Sequence, residues 1–324
     1  MDSKKNEAKI CLLIGLCFLW TGSGYLTWMY RFLEFYPAAS VDVLTEVVGY
    51  IFQVIGLFVF SVCCKRRAEI LNTKKGFIFV MVGDFCLITL SALAWNGTGA
   101  LIFGYGMNFL HGLVAGFYLT LLVTHVSQQY RGRVFGLGYG IGSIGSWILS
   151  LAGNGNFLQS RYVLITYVMF TGISIFLYSS IDGLDSSDID ERIDHRHTVS
   201  PQFVLLAGIT LFLLSTVKNV GFYFPTADLS AANISLEFTR VFYAFGLAAA
   251  GFISDWKRKY GAVCCIAALV IPFVMLVLLA NEGTSAILWI AGYLFFGFFV
   301  VYRVIVFVDL AGKGESNLFL QDLD

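Results

Sequence analysis

Charge is scarce in this 324-residue chain. Lys, Arg, Asp and Glu together make up 13% of it, against 58% hydrophobic residues and a mean hydropathy of +0.78. That balance excludes an ordinary water-soluble domain, which cannot present such a surface to water, and leaves lipid as the solvent. Strands of about ten residues alternating apolar and polar are lacking too, which argues against a barrel. No Gly-x-x-x-x-Gly-Lys-Ser/Thr loop occurs and no polar stretch is large enough to hold a nucleotide. Energy for any transport would then come from an ion gradient or from the solute's own gradient. The seven cysteines (Cys11, Cys17, Cys63, Cys64, Cys86, Cys264, Cys265) lack zinc-finger spacing or a partner histidine, and packing accounts for them. No cofactor, metal or membrane-embedded catalytic pairing stands out, so an enzyme is not expected.

What the chain has is long apolar runs. A bilayer core about 30 Å thick needs roughly 20 apolar residues per helix, and ten such runs can be drawn, at about 10–31, 43–64, 76–95, 99–126, 134–152, 162–180, 203–224, 234–254, 262–280 and 285–308. The first follows Lys4, Lys5 and Lys9 as a secretory signal would, but it continues to Tyr30 without a small-residue cleavage site and reads as an uncleaved helix. Threaded alternately, the runs put most of the 21 Lys and Arg residues on one side and only Arg31 and Arg161 on the other. That asymmetry predicts that both termini are cytosolic, and the carrier reading given below places the chain in the cell (plasma or inner) membrane as an expectation. Two glycosylation sequons, Asn96-Gly-Thr98 and Asn233-Ile-Ser235, fall on the outer side in this threading.

The long polar segment at 181–202 carries Asp182, Asp185, Asp188, Asp190, Glu191 and Asp194 and reads as a cytosolic acidic linker. It divides the chain into an N-terminal six-helix bundle (1–180) and a partial C-terminal bundle of four (203–308), followed by a cytosolic tail (309–324). Within the linker, His195-Arg-His197 offers neither four ligands nor fixed geometry for a metal. The Gly-x-Gly-x-x-Gly spelling at 140–145 follows no strand and lies in a lipid-length run. Glycines four apart, such as Gly138 and Gly142, instead let helices approach closely.

Between the eighth and ninth runs the sequence reads Gly251-Phe-Ile-Ser-Asp255-Trp-Lys257-Arg258-Lys259-Tyr-Gly261, a helix end, an acid and a basic cluster in one short turn. This resembles the loop signature of the major facilitator superfamily. Arg131-Gly132-Arg133 before the glycine-rich fifth run is similar to that family's junction after its fourth helix, and the bridge after the sixth run agrees as well. The resemblance covers about 10–308. It implies a helical bundle working by alternating access, in which Asp255 caps or pairs with a neighbouring helix end. The chain departs from the family in three ways. Phe60 stands where the first-half copy of the signature would have Asp, the fifth run has no proline, and there are ten runs rather than twelve.

Ionisable groups within lipid-length runs are costly and are candidates for function. They are Asp84 in the third run, His111 in the fourth, Lys218 in the seventh, Glu237 and Arg240 in the eighth, and Arg303 near the end of the tenth. Asn108 and His111 share a helical face, and His111 lies near mid-membrane. It could carry a coupling proton with Asp84 as relay, or be a hydrogen-bonded structural histidine. Lys218 with Asn219, and Glu237 with Arg240, could form an outer ion pair or bind an anionic or zwitterionic solute. Trp20, Thr21, Ser23, Tyr25 and Trp28 could line a cavity or anchor the first helix at an interface.

The sequence thus predicts an all-α membrane protein of about ten transmembrane helices arranged six plus four, acting as a secondary carrier of a small solute. Its expected partners are the bilayer, that solute and a coupling proton or ion, not nucleic acid, with self-association left open. A ten-helix carrier of the drug/metabolite type and a non-transporting sensor or inactive fragment are the alternative readings.

Overall fold

The computed structural model of the protein describes residues 2–37, 40, 43–71, 73–151, 161–182, 184, 236–278 and 285–311, with isolated positions 202, 205, 208 and 209. Most of the seventh expected run, of the linker and of the tail, with His195 and His197, lies outside the described residues.

Among the described residues the chain is helical and contains no strand. The helices are α1 (Asp2–Leu33), α2 (Tyr50–Leu71, entered through a π-helical segment at Val43–Gly49), α3 (Lys74–Ala92), α4 (Gly97–His125), α5 (Arg131–Leu151, after a short 3-10 turn at Gln128–Tyr130), α6 (Arg161–Ser179), α7 (Leu236–Trp256), α8 (Arg258–Leu278) and α9 (Ser285–Ala311). Among the described residues, five segments are long and apolar enough to cross a membrane: Lys4–Leu33, Val43–Cys64, Lys74–Ala92, Gly97–His125 and Ile290–Asp309. Leu164–Ser179 and Val241–Trp256 are shorter apolar helices. Thr73 caps α3 by accepting the Gly76 amide at 3.0 Å, and Asn96 caps α4 by accepting the Gly99 amide at 2.7 Å. The asparagine of the first sequon therefore has a structural task at a helix start.

The chain divides into two compact units, Met1–His125 with Ile141–Glu191, and Val126–Gly140 with Arg192–Asp324. In the first, α4 packs against α1, α2 and α3, and α6 packs against α1 and α3. The α2–α4 crossing is made backbone to backbone. A Cβ on Gly56 would lie 2.0 Å from the Phe109 carbonyl oxygen, and one on Gly112 would lie 2.1 Å from that of Gln53. Below it, Phe60 packs edge-on to Phe117, and Phe77 stacks on Tyr178 with centroids 4.1 Å apart. Such close approach of small residues is how helices adhere where lipid removes the usual hydrophobic drive.

The second unit uses the same device. Its most extensive pairing is α7 with α9, where a Cβ on Gly246 would lie 2.0 Å from the Leu294 carbonyl oxygen and one on Gly297 would lie 2.4 Å from the Leu247 nitrogen. In each unit, then, two helices separated by one intervening helix cross at paired glycines. Large apolar side chains remain more than half exposed on both units, among them Phe58, Phe79 and Phe176 on the first and Trp256 and Val263 on the second. Burial against the units' own helices does not account for these side chains.

Candidate functional site

The first unit encloses a polar cluster where α1, α3, α4 and α6 meet. Asp84 is fully buried, and His111 is 2% exposed at the midpoint of α4, about 21 Å of helical rise from either end. His111 Nε2 stands 3.2 Å from Asp84 Oδ2, within ion-pair distance but without the alignment of a hydrogen bond. The same oxygen accepts the indole N–H of Trp20 at 2.6 Å. Gly24 lies beside the pair: a Cβ there would press on Ile88 at 2.9 Å and stand in ordinary contact with His111 Cε1 at 3.5 Å. Trp20 meets Tyr167 edge-on at 5.0 Å, and the Tyr167 hydroxyl shares a 2.9 Å hydrogen bond with Thr27.

The third and fourth runs thus bring together His111 and Asp84, for which the sequence leaves open a coupling histidine with Asp84 as relay partner or a structural histidine. Asn108, expected on the same face as His111, donates its amide to Gly104 of its own helix at 2.8 Å. Trp20 and Trp28 are fully buried, and Trp28 donates to the Ala100 carbonyl at 2.8 Å. Lys218 and Asn219 lie outside the described residues. Glu237 and Arg240 sit in the first turns of α7, but their side chains lie outside the described residues as well. The expected outer pair therefore receives no geometry.

The second unit holds a charged network built on the Gly251–Gly261 segment. Asp255, at the end of α7, takes the backbone amides of Gly132 on Oδ1 at 2.7 Å and of Arg133 on Oδ2 at 2.8 Å. It therefore occupies the N-terminus of α5, where unpaired amides and the helix dipole both favour a carboxylate. Gly132 and Gly251 permit this approach, since a Cβ on Gly251 would lie 2.5 Å from the Gly132 carbonyl oxygen. Arg258 donates to Asp255 Oδ1 at 3.0 Å, to Asp309 Oδ2 at 2.7 Å, to the Ser254 carbonyl at 2.6 Å and to that of Gln128 at 2.5 Å. Arg131 donates to Asp309 Oδ1 at 3.2 Å and to the Val126 carbonyl at 3.2 Å.

Two acids and two arginines thus alternate in one half-buried chain. Asp255 lies in the last turn of α7, one residue past the eighth apolar run of the sequence. Burial pushes its carboxyl above the ordinary carboxylate range, and the Arg133 amide, Arg258 and the Gly132 amide pull it back. Lys257 and Lys259 are exposed, Lys257 near the Tyr260 ring, and Gly261 packs on Ser254, where a Cβ would lie 2.7 Å from Oγ.

Asp309 was not among the sequence candidates, because it falls one residue past the last apolar run. α9 continues to Ala311 and carries it into the network. Trp20 as the Asp84 donor was likewise missed, since an indole in a mixed aromatic helix is not distinguished by spacing.

No family model matches this chain, and no curated protein matches it either.

Proposed function

We propose that this chain is an integral membrane carrier of the major facilitator type, moving a small solute across a cell membrane by alternating access. The observation that carries the reading is the meeting of two sequence fragments that each resemble that family. Asp255, from the Gly251–Gly261 segment, grips the Arg131-Gly132-Arg133 helix start through two backbone amides. A carboxylate at a helix N-terminus contributes about 0.3–2 kcal/mol, enough to bias a two-state equilibrium and small enough to be released in each cycle.

Supporting this are the five segments long and apolar enough to cross a membrane and the exposed Phe and Trp side chains, which lipid would cover. The one-sided Lys and Arg distribution favours cytosolic termini. The buried Asp84–His111 pair adds an ionisable site at mid-helix, as expected where a carrier binds its ion or solute.

The test is accumulation from a uniformly ¹³C-labelled nutrient extract by cells making the protein, with intracellular solutes read by mass spectrometry. A carrier enriches at least one solute above vector-only cells, and Asp255→Asn lowers that rate. No enriched solute with abundant, correctly inserted protein contradicts the reading.

A further inference from the structure

The Asp84–His111 pair has a charge imbalance that one proton removes. Asp84 is fully buried, and among the described residues no Lys or Arg reaches it, so the one cation within range is protonated His111. Without a proton the pair leaves a net negative charge inside a bundle of apolar helices, a state strongly disfavoured. With one proton the pair is neutral, as imidazolium beside carboxylate or imidazole beside carboxylic acid.

Trp20 supports Oδ2 in either form with its 2.6 Å donor. Asp84 Oδ1, by contrast, has no partner among the described residues, and His111 Nε2 has no aligned one. A purely structural pair would satisfy both atoms; this one keeps a buried acceptor open.

The neighbouring groups do not neutralise the carboxylate. From α1 and α6, Cys17 and Tyr167 lie within electrostatic reach of Asp84, and neither supplies a cation. On α2, Cys64 is placed beside Tyr178 of α6. The exposed Cys86 is the other titratable group in the apolar run of α3.

We infer that Asp84 and His111 form a one-proton site, and that its proton is the coupling ion of the carrier, a step that rests on the carrier reading above. A proton arriving from water occupies the pair and takes its charge from minus one to zero, and its departure restores the negative charge. One coupled proton concentrates a neutral solute about tenfold per unit of pH gradient.

The experiment has two arms on the full chain. In lipid nanodiscs, ¹⁵N-histidine NMR reads the protonation of the ring; only four histidines are present, and His111→Gln assigns the signal. Asp84→Asn is expected to lower the protonated fraction of His111 at neutral pH, and Trp20→Phe, which keeps both titrating groups, to move it in a less drastic way. A His111 signal indifferent to Asp84→Asn overturns the one-proton site, as does a response to sodium at constant pH that matches the response to protons.

In cells given the labelled extract, wild-type accumulation should collapse on adding a protonophore, and His111→Gln should lose about tenfold of it per unit of pH gradient. Accumulation indifferent to the protonophore, or undiminished in His111→Gln, overturns the coupling role. If the NMR arm behaves as expected while wild-type cells accumulate nothing, the carrier reading fails, and the coupling role with it, while the proton site stands.

Discussion

A Cβ on Gly132 would lie 2.5 Å from Asp255 Oδ1, the same oxygen that accepts the Gly132 amide at 2.7 Å. Gly251 is held as tightly from the other side, against the Gly132 backbone. The glycine four residues before the acid is therefore a matter of clearance, since only without side chains at both positions can the carboxylate reach the start of α5. Gly132→Ala and Gly251→Ala should each cost about 1–3 kcal/mol through overpacking and lower the thermal unfolding temperature in detergent. A variant that unfolds like the wild type would show that the two helix ends do not meet this closely.

Asp309 bridges Arg131 and Arg258, whereas Asp255 pairs with Arg258 and is held by the Gly132 and Arg133 backbone amides. Removing Asp309 takes a buried carboxylate from both arginines at once, while the Arg131 guanidinium, whose side chain is 8% exposed, keeps its bonds to the Val126 and Val308 carbonyls. Asp309→Ala should therefore be the more damaging change, by about 3–5 kcal/mol. Asp255→Asn should cost roughly 1–2 kcal/mol as a weakened cap. Chemical unfolding of the two variants side by side checks the order, and equal losses would contradict it.

The sequence was most informative where a single physical constraint acts on each residue. Lipid-length apolar runs that fall among the described residues are helical because the backbone bonds of such runs are satisfied internally, and Asp84 and His111 stand out because ionisable groups are rare in such runs. Similar depth along each helix is all that the sequence offers for their pairing across α3 and α4, and the structure brings them to 3.2 Å. Asp309 was hidden because its role comes from α8 and α5, which are distant in sequence. Trp20 was hidden because nothing in the order of residues tells an indole that donates to a buried acid from one that lies at an interface. Asn108 shows the converse: correct spacing to His111, but an amide satisfied within its own turn.

Glycines in these helices divide sharply by what surrounds them. Gly56, Gly112, Gly246 and Gly297 lie where an added Cβ would come within 2.0 to 2.4 Å of a neighbouring backbone, while Gly172 in α6 has nothing within 4 Å. Alanine at any of the first four should lower the unfolding temperature by forcing α2 from α4 or α7 from α9. Gly172→Ala should raise stability by up to about 1 kcal/mol, because it removes backbone freedom without a clash. A loss of stability at Gly172 comparable to that at Gly56 would contradict the packing described.

Trp20→Phe removes the N–H that donates to Asp84 Oδ2 while keeping an aromatic ring against Tyr167. It leaves a buried carboxylate with one donor fewer, at a cost of about 1–3 kcal/mol. Asp84→Asn in the Trp20→Phe background should cost less than it does alone, because the two residues share one interaction. A double-mutant cycle by chemical unfolding reads that difference; strict additivity would show that the indole and the acid do not interact.

The central claim is carriage. Its most direct measurement is intracellular accumulation from the ¹³C-labelled extract by cells making wild-type protein, compared with vector-only cells and with Asp255→Asn at matched surface expression. The account predicts a solute enriched in the wild type and less so in the variant. No enrichment in the wild type, or full enrichment in both, would contradict it.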